Sequence, residues 1–191
     1  MCIKKNILWC ILILLLLFPS LSFSQVNKIG FRIEPFLFLT KTEGTGTLSM
    51  SNKNEVNCYL TSINFSYKYN MSTKLALSTR VGYLWSNEER YKGLEINELL
   101  HMQISDKAYL LAGINIHFNN DKFKSEVHSN NFAVPSLIMG AALKLSDMLS
   151  TELQYQFGAQ NEYDTNYSYG TIHHKLSGVV KLSFGFEWDF L

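Results

Sequence analysis

Large apolar residues occupy every second position in eight segments of this 191-residue chain. The last segment is KLSFGFEWDFL, and its alternating apolar residues are Leu182, Phe184, Phe186, Trp188 and Phe190. A period of two is typical of a β-strand whose two faces meet different surroundings. The eight segments span residues 28–39, 58–69, 74–86, 94–104, 108–118, 136–145, 149–159 and about 178–190. We therefore predict an all-β fold with eight antiparallel, up-and-down strands, and we expect Pro35 to break the phase of the first strand at a bulge.

The connections between these segments alternate in length. Short turns are expected at 70–73, 105–107 and 146–148, an intermediate connection at 87–93, and long loops at 40–57, 119–134 and 160–175. A transmembrane barrel has short periplasmic turns at one rim and longer outer loops at the other, whereas a soluble sandwich has no reason to sort its turns. The sequence therefore favours an eight-stranded transmembrane β-barrel.

The second face of each segment is rich in Gly, Ser, Asn and Gln. Such residues suit a narrow, filled lumen, so we expect the apolar face to contact lipid. A soluble lipocalin-type barrel, with its apolar face inward, is the alternative. Aromatic residues near the strand ends favour the membrane barrel, because amphipathic rings gather at the two membrane interfaces. The predicted girdles are Tyr67, Tyr69, Trp188 and Phe190 at the periplasmic rim and Tyr59, Tyr83 and Trp85 at the outer rim.

The first 24 residues have the pattern of a cleaved secretory signal. Lys4 and Lys5 precede an apolar run at 7–18, and the small residues Ser22 and Ser24 precede the expected cleavage point. A retained membrane anchor is the alternative, but the apolar run is shorter than the roughly 20 residues that a spanning helix needs.

Cleavage would leave a single barrel domain at residues 25–191 and place it in the bacterial outer membrane. The mature chain would carry 15 basic and 16 acidic residues, because two of the lysines leave with the signal. This balance argues against nucleic-acid binding, which requires a basic face.

Two stretches resemble a known class of proteins. GAALKLSDMLSTELQYQFG (140–158) and FGFEWDF (184–190) are similar to small outer-membrane β-barrel proteins, the OmpA/OmpX-type eight-stranded barrels and the porin-like families around them. The resemblance implies a monomer that contacts outer-membrane lipids and is recognised by the barrel assembly machinery through its C-terminal strand. Members commonly end on an aromatic residue, whereas this chain ends one residue after Phe190.

Charged residues on the inward side of the predicted strands comprise five bases and four acids. Buried charges cost several kcal/mol each unless they are paired, and an eight-stranded barrel is only wide enough for side chains. We therefore predict a lumen filled by a polar network, and a narrow ion channel along the same residues is the alternative. The predicted lumen residues are Arg32, Glu34, Lys68, Arg80, Lys144, Glu152, Lys181, Glu187 and Asp189, with Arg80, Lys144 and Glu152 placed deepest.

One stretch invites comparison with a catalytic motif. VHSNN (127–131) resembles the H-x-S-N motif of eight-stranded barrels that deacylate lipid A, in which the histidine activates a serine two residues later. Here His128 and Ser129 are adjacent, so on a strand they would point to opposite faces. The chain is therefore not expected to be an enzyme, and a lipid A-modifying activity is kept as an alternative function.

The last predicted loop is rich in tyrosine. Its stretch NEYDTNYSYG (161–170) provides the candidate contact residues Tyr163, Tyr167 and Tyr169, since Tyr and Asn serve recognition loops well. Two adjacent histidines later in this loop have no further ligand spacing, so no metal or cofactor site is predicted. The sequence predicts a structural or recognition role, in envelope integrity or in contact with an unknown extracellular ligand.

Overall fold

The computed structural model describes residues 27–44, 53–85, 92–119, 133–158, 162–167 and 170–190. The predicted signal (1–24), the VHSNN stretch (127–131) and Tyr169 lie outside the described residues. For Tyr59, Tyr163 and Tyr167 the structure describes the backbone only.

The described residues form nine strands. They are β1 (Asn27–Gly44), β2 (Lys53–Asn70), β3 (Leu75–Leu84), β4 (Gly93–Gln103), β5 (Ala108–Asn119), β6 (Ala133–Lys144), β7 (Leu149–Phe157), β8 (Glu162–Tyr167) and β9 (Gly170–Phe190).

The strands close into a barrel by antiparallel pairing. β1 to β7 pair in chain order, β7 pairs with β9, and β9 pairs with β1. β8 pairs with the outer part of β9, beyond the part that β7 covers, so β8 continues the line of β7. The wall of the barrel therefore consists of eight strands, with β7 and β8 in one line, which confirms the predicted all-β antiparallel fold.

Three tight turns join β2 to β3, β4 to β5 and β6 to β7 at one rim. Each turn contains a serine, Ser72, Ser105 or Ser146, whose hydroxyl accepts the backbone N–H three residues later at 3.0, 3.1 and 3.0 Å. A serine hydroxyl that captures a nearby backbone N–H stabilises such a turn. This rim corresponds to the periplasmic side of outer-membrane barrels, and the opposite rim is the outer one.

The predicted bulge is present at the level of Pro35, but its extra residue belongs to β2, and the phase of β1 is not broken at Pro35. Inward-facing residues continue through it at every second position of β1, from Gly30 to Phe38, and all are buried. The register shift lies in β2, because the residues on either side of Pro35 face Ser62 and Tyr59, which are separated by two residues instead of one. The bulged strand adopts a φ of 106° at Thr61.

Three strands are longer than predicted. Residues 40–44 and 53–57 of the first predicted loop, and 162–167 and 170–175 of the last, form paired strands in the order β2–β1–β9–β8. We call these four segments the projecting sheet, since they continue past the 9–12 residues of β3 to β7 that form the rest of the wall. Their polar composition resembles a loop, but backbone pairing between strands does not require an alternating pattern of side chains.

The two faces of the wall have opposite polarity. Large apolar side chains on the outside are open, with Phe65, Met139 and Leu153 at 57–60% exposed, whereas Arg80 and Glu152 on the inside are 1% and 2% exposed. A continuous apolar exterior of this kind marks contact with another apolar phase. The soluble lipocalin-type alternative, with its apolar face inward, is therefore wrong.

In the part of the chain that the structure describes, no helix is long and apolar enough to cross a membrane.

Candidate functional site in the barrel lumen

The lumen is filled by an ion-pair network that begins near the periplasmic rim with Arg32. Its guanidinium lies 2.6 Å from the Glu187 carboxylate and 2.9 Å from Glu152, and it donates to the Ser183 hydroxyl at 2.8 Å. The guanidinium packs against Gly185, where a Cβ would collide with it. The small residues of β9 thus leave the space that this long side chain occupies.

Arg80 and Glu152 form the middle of the network. Both terminal nitrogens of Arg80 donate to the two oxygens of Glu152 at 2.8 Å, which is the bidentate geometry of the strongest charge-assisted hydrogen bonds. The amide of Gln154 donates to the same carboxylate at 2.7 Å. Glu34 lies 3.5 Å from Arg80 and links this pair to the next one.

Lys181 and Glu95 form the part of the network nearest the outer rim. The Lys181 ammonium lies 2.7 and 2.9 Å from the two Glu95 oxygens and 3.5 Å from Glu34. The Ser62 hydroxyl donates to Glu95 at 3.1 Å. The buried Glu95 carboxylate is therefore paired with a cation and receives a further hydrogen bond, which offsets the cost of its removal from water.

The charges of the described network balance. Its cations are Arg32, Lys68, Arg80 and Lys181, and its anions are Glu34, Glu95, Glu152 and Glu187. A neutral, interlocked set of this kind stabilises the lumen without creating a field of one sign along it. Such a set is more typical of a filled interior than of a pathway for one type of ion.

An apolar cluster lies in the lumen beyond the network, toward the outer rim. We call it the apolar cap, and its members are buried to between 0 and 7% exposure: Phe36, Phe38, Leu84, Val134, Leu176 and Val179. The rings of Phe36 and Phe38 lie 4.9 Å apart between centroids. The apolar cap therefore fills the described part of the lumen between the network and the outer rim with side chains that offer no polar group.

A cavity of about 120 Å³ opens at the periplasmic rim. Its lining includes Lys68, His101, Tyr109 and Glu152, and it does not include Lys181. The Lys68 ammonium lies 5.3 Å from the centre of the Tyr109 ring, a cation–π contact. The cavity is a vestibule whose described lining extends from the rim to the network at Glu152.

One serine and one histidine contact each other inside the lumen: the Ser78 hydroxyl and His101 Nε2 lie 2.8 Å apart, and each residue is 2% exposed. Among the described side chains, no three His, Cys, Asp or Glu residues are arranged to hold a metal ion.

The predicted lumen residues divide into two groups. Seven contribute to the network described above: Arg32, Glu34, Lys68, Arg80, Glu152, Lys181 and Glu187. Two do not, and the deep placement of Lys144 is wrong: its side chain is 38% exposed at the periplasmic rim and pairs with Asp147 of the adjacent turn at 2.7 Å. Asp189 is 67% exposed at the same rim and lies 3.4 Å from Lys28.

Sequence reasoning missed Glu95. The predicted lumen residues include none from the fourth segment (94–104), although its Glu95, Asn97 and His101 are buried in the lumen. Strict alternation of outward and inward residues from Leu94 onward is the sequence signal that would have placed these residues in the lumen. The cross-lumen pairing of Glu95 with Lys181 depends on barrel curvature and was not accessible from local periodicity.

The aromatic residues lie near both rims. Tyr67, Tyr69, Trp188 and Phe190 are at the periplasmic ends of β2 and β9, and Tyr83 and Trp85 are at the outer end of β3. The Tyr83 and Trp85 rings are 4.9 Å apart between centroids. Tyr59 lies opposite Phe36 in the β1–β2 ladder because of the bulge in β2.

The tyrosine-rich stretch lies in the projecting sheet. Tyr163 is paired with His174 and Tyr167 with Gly170 in the β8–β9 hairpin. The prediction of a long loop at 160–175 is therefore wrong, and Tyr163 and Tyr167 are carried by a strand that adjoins the outer end of β9.

No protein-family model and no curated protein matches the chain. Solved structures do match it. The N-terminal β-barrel domain of OprF from Pseudomonas aeruginosa is 15% identical, with 86% of this chain and 100% of that chain covered and a TM-score of 0.43. The outer membrane protein OprG from the same organism is 10% identical, with 85% and 96% covered and a TM-score of 0.46. Ail, the attachment invasion locus protein of Yersinia pestis, is 9% identical, with 86% and 100% covered and a TM-score of 0.44.

The chain has the fold of a small eight-stranded outer-membrane β-barrel. The closed wall, the apolar exterior and the polar interior of the chain itself carry this conclusion. The resemblance stated from the sequence is confirmed to that extent.

Proposed function

We propose that this protein is a surface recognition protein whose barrel is a closed membrane anchor and whose projecting sheet contacts a ligand outside the cell. The observation that carries the proposal is the asymmetry of the wall. Strands β1, β2 and β9 have 18, 18 and 21 residues, whereas β3 to β7 have between 9 and 12. Strands of about 9–11 residues suffice to span a bilayer, so the additional length serves a purpose beyond spanning.

The filled lumen supports the role of an anchor. A conducting barrel requires a continuous polar path, and here the vestibule ends at the network while the apolar cap fills the outer mouth. The ligand is therefore expected to act at the outer surface and not to pass through the barrel.

The edge of the projecting sheet supports recognition. Among the described residues β8 pairs with β9 alone, so its other edge presents backbone donors and acceptors. An exposed edge can add a strand from a partner, and Tyr and Asn side chains supply adaptable contacts beside it. The sheet carries both signs of charge, as in the Lys41–Glu43 ion pair at 2.8 Å. This mixture favours a polypeptide or an uncharged glycan over a polyanion.

Cells that display the full-length protein provide the test. They are incubated with an array of purified matrix proteins and bacterial and host glycans, beside cells with the triple variant Tyr163→Ser, Tyr167→Ser, Tyr169→Ser at equal surface levels. The matched control is Asp106→Ser with Lys107→Ser in the periplasmic turn between β4 and β5. We expect the wild type and the control to retain a common ligand that the triple variant loses. Equal binding by all three, or no retained ligand, would contradict the proposal.

The proposal includes export through the predicted signal at 1–24 and residence of 25–191 in the outer membrane. Intact-mass measurement of protein from purified outer membranes is expected to give a chain that begins at Gln25. A mass that includes Met1 to Ser24 would favour the retained anchor.

A further inference from the structure

One carboxyl group lies on the lipid-facing side of the wall. Glu98 is the central residue of β4, directly opposite Thr79 of β3 and Ile114 of β5. The surrounding outward-facing side chains are apolar and open, with Val81, Leu100 and Ile114 at 40–46% exposed. In the described wall, Glu98 is the charged residue that stands within this apolar band instead of at a rim or in the lumen.

The contacts of Glu98 differ from those of the lumenal acids. The Thr79 hydroxyl donates to Glu98 Oε2 at 3.0 Å, and no ion pair among the described residues includes Glu98. One hydroxyl satisfies one of the two carboxyl oxygens. Each lumenal glutamate, in contrast, has a cation within 4 Å.

A carboxyl group in the middle of the membrane-spanning wall is energetically unfavourable unless another polar or charged group pairs with it. Ionisable groups within the hydrocarbon region are costly and usually mark a functional contact. The headgroups lie at the level of the aromatic girdles, far from the middle of β4, so a lipid headgroup is not a suitable partner. The neutral acid costs less in hydrocarbon than the carboxylate, and a neutral carboxyl group is both a donor and an acceptor.

We propose that Glu98 and Thr79 form the centre of a lateral interface between two copies of this barrel. A two-fold axis along the membrane normal brings the same patch of both copies together at equal depth. Each Glu98 then donates its O–H to the carbonyl oxygen of the other copy and accepts the same bond in return, while the Thr79 hydroxyl still donates to a remaining lone pair on Oε2. The small side chains of Thr79 on β3 and Ala112 on β5 flank the carboxyl group and allow close approach.

This interface replaces the monomer that was expected from the sequence. It is independent of the proposed recognition function, because it uses the membrane-spanning part of β3, β4 and β5 and not the projecting sheet. A different protein with a cation at the same depth is the competing occupant, and the experiment below separates the two.

The experiment measures association in lipid vesicles. The mature chain (25–191), which lacks Cys2 and Cys10, carries Cys58→Ser and Asp106→Cys and is labelled with donor or acceptor dye at the periplasmic turn, and energy transfer is followed as lipid is added. We expect transfer to persist on dilution in the wild-type background and in Glu98→Gln, whose amide can also pair reciprocally. Glu98→Leu is expected to associate about ten-fold more weakly, the size of the effect of one or two hydrogen bonds within a membrane.

A charge exchange distinguishes pairing from a general effect on packing. Glu98→Lys alone is expected to be monomeric because two ammonium groups repel, whereas a mixture of Glu98→Lys and wild type is expected to recover transfer between unlike copies. Thr151→Leu, an outward-facing change on β7, is the matched control and is expected to behave as wild type. Each variant is first shown to be folded by its different migration in unheated and heated gels.

Two results would overturn the proposal. One is wild-type energy transfer that falls on dilution to the level of random proximity, which would leave a different partner chain as the occupant. The other is association of Glu98→Leu equal to that of the wild type, which would remove Glu98 from the interface.

Discussion

The inner and outer faces of the barrel wall are built by neighbouring residues of the same strands, yet polar groups on the two faces have different partners available to them. In β4, Glu95 and Asn97 are buried in the lumen, while Leu94 and Leu100 face outward and are 42% and 40% exposed. Inside, curvature brings distant strands together, so Arg80 of β3 meets Glu152 of β7. Outside, a residue has only its lateral neighbours. Polar groups inside can therefore pair across the lumen, whereas outside they reach only the adjacent strands, as Thr79 reaches Glu98.

The largest effect is expected when acidic groups replace apolar ones on the outer face. Trp188→Asp with Phe190→Asp should block insertion, because both residues face outward at the end of β9 and acidic groups are unfavourable on the lipid face. Trp188 also packs at 6.3 Å against Phe31 across the β1–β9 seam. The measurement is the amount of protein in purified outer membranes, with Trp188→Phe, Phe190→Tyr as the control. Normal levels of the double Asp variant would show that this end does not face lipid.

On the inner face, the removal of one partner is expected to be costly but not to prevent assembly. Arg80→Ala leaves Glu152 and Glu34 with fewer cations and should lower the free energy of unfolding by roughly 3–5 kcal/mol, as for other broken buried pairs. Urea unfolding of the purified barrel in lipid measures the change. An unchanged midpoint would mean that these charges are hydrated and not mutually paired.

Replacement of both partners of an ion pair on the inner face should lower the free energy of unfolding by less than the sum of the two single replacements. Lys181→Met and Glu95→Gln are expected to be coupled by roughly 0.5–3 kcal/mol, because the double variant leaves no unpaired charge where the 2.7 Å contact was. A double-mutant cycle of unfolding free energies tests this coupling. Strict additivity would place the two residues outside a common network.

The smallest effect is expected for the solvent-exposed ion pair of Lys144 and Asp147 at the periplasmic rim, which lies neither in the lumen nor against lipid. The hydrogen bond from Lys144 lowers the pKa of the exposed Asp147 below its ordinary value. A lowered folded pKa contributes stability above the unfolded pKa and loses it as pH falls through the folded value, so any loss is confined to acid. Lys144→Ala should leave unfolding at neutral pH unchanged and raise the pKa of Asp147 in an NMR titration. An unaltered titration would show that the pair does not persist in solution.

The alternation of apolar residues was sufficient to predict the eight-stranded wall and the inward side of seven network residues. It is a local signal, however, and it failed where the structure depends on a partner strand that is distant in the sequence. The bulge opposite Pro35 depends on the partner strand, and the outward continuation of β9 depends on backbone pairing that its polar side chains do not reveal.

The candidate sites show the same limit. Lys144 shares the inward phase of β6 but lies at its last residue, so its position relative to the rim, and not its phase, decides its environment. Glu95 was missed because its partner Lys181 is on β9, and only closure of the sheet brings the two together. Periodicity identifies a face, whereas partners across a lumen follow from strand register and curvature.

The central claim is that the inner face is closed by its own side chains, and conductance tests it most directly. Purified protein in a planar lipid bilayer is expected to show no stable conductance, because the paired charges and the apolar cap fill the lumen. A steady, wide and salt-dependent conductance in the wild type would contradict this account and would mean that the same charges line a path.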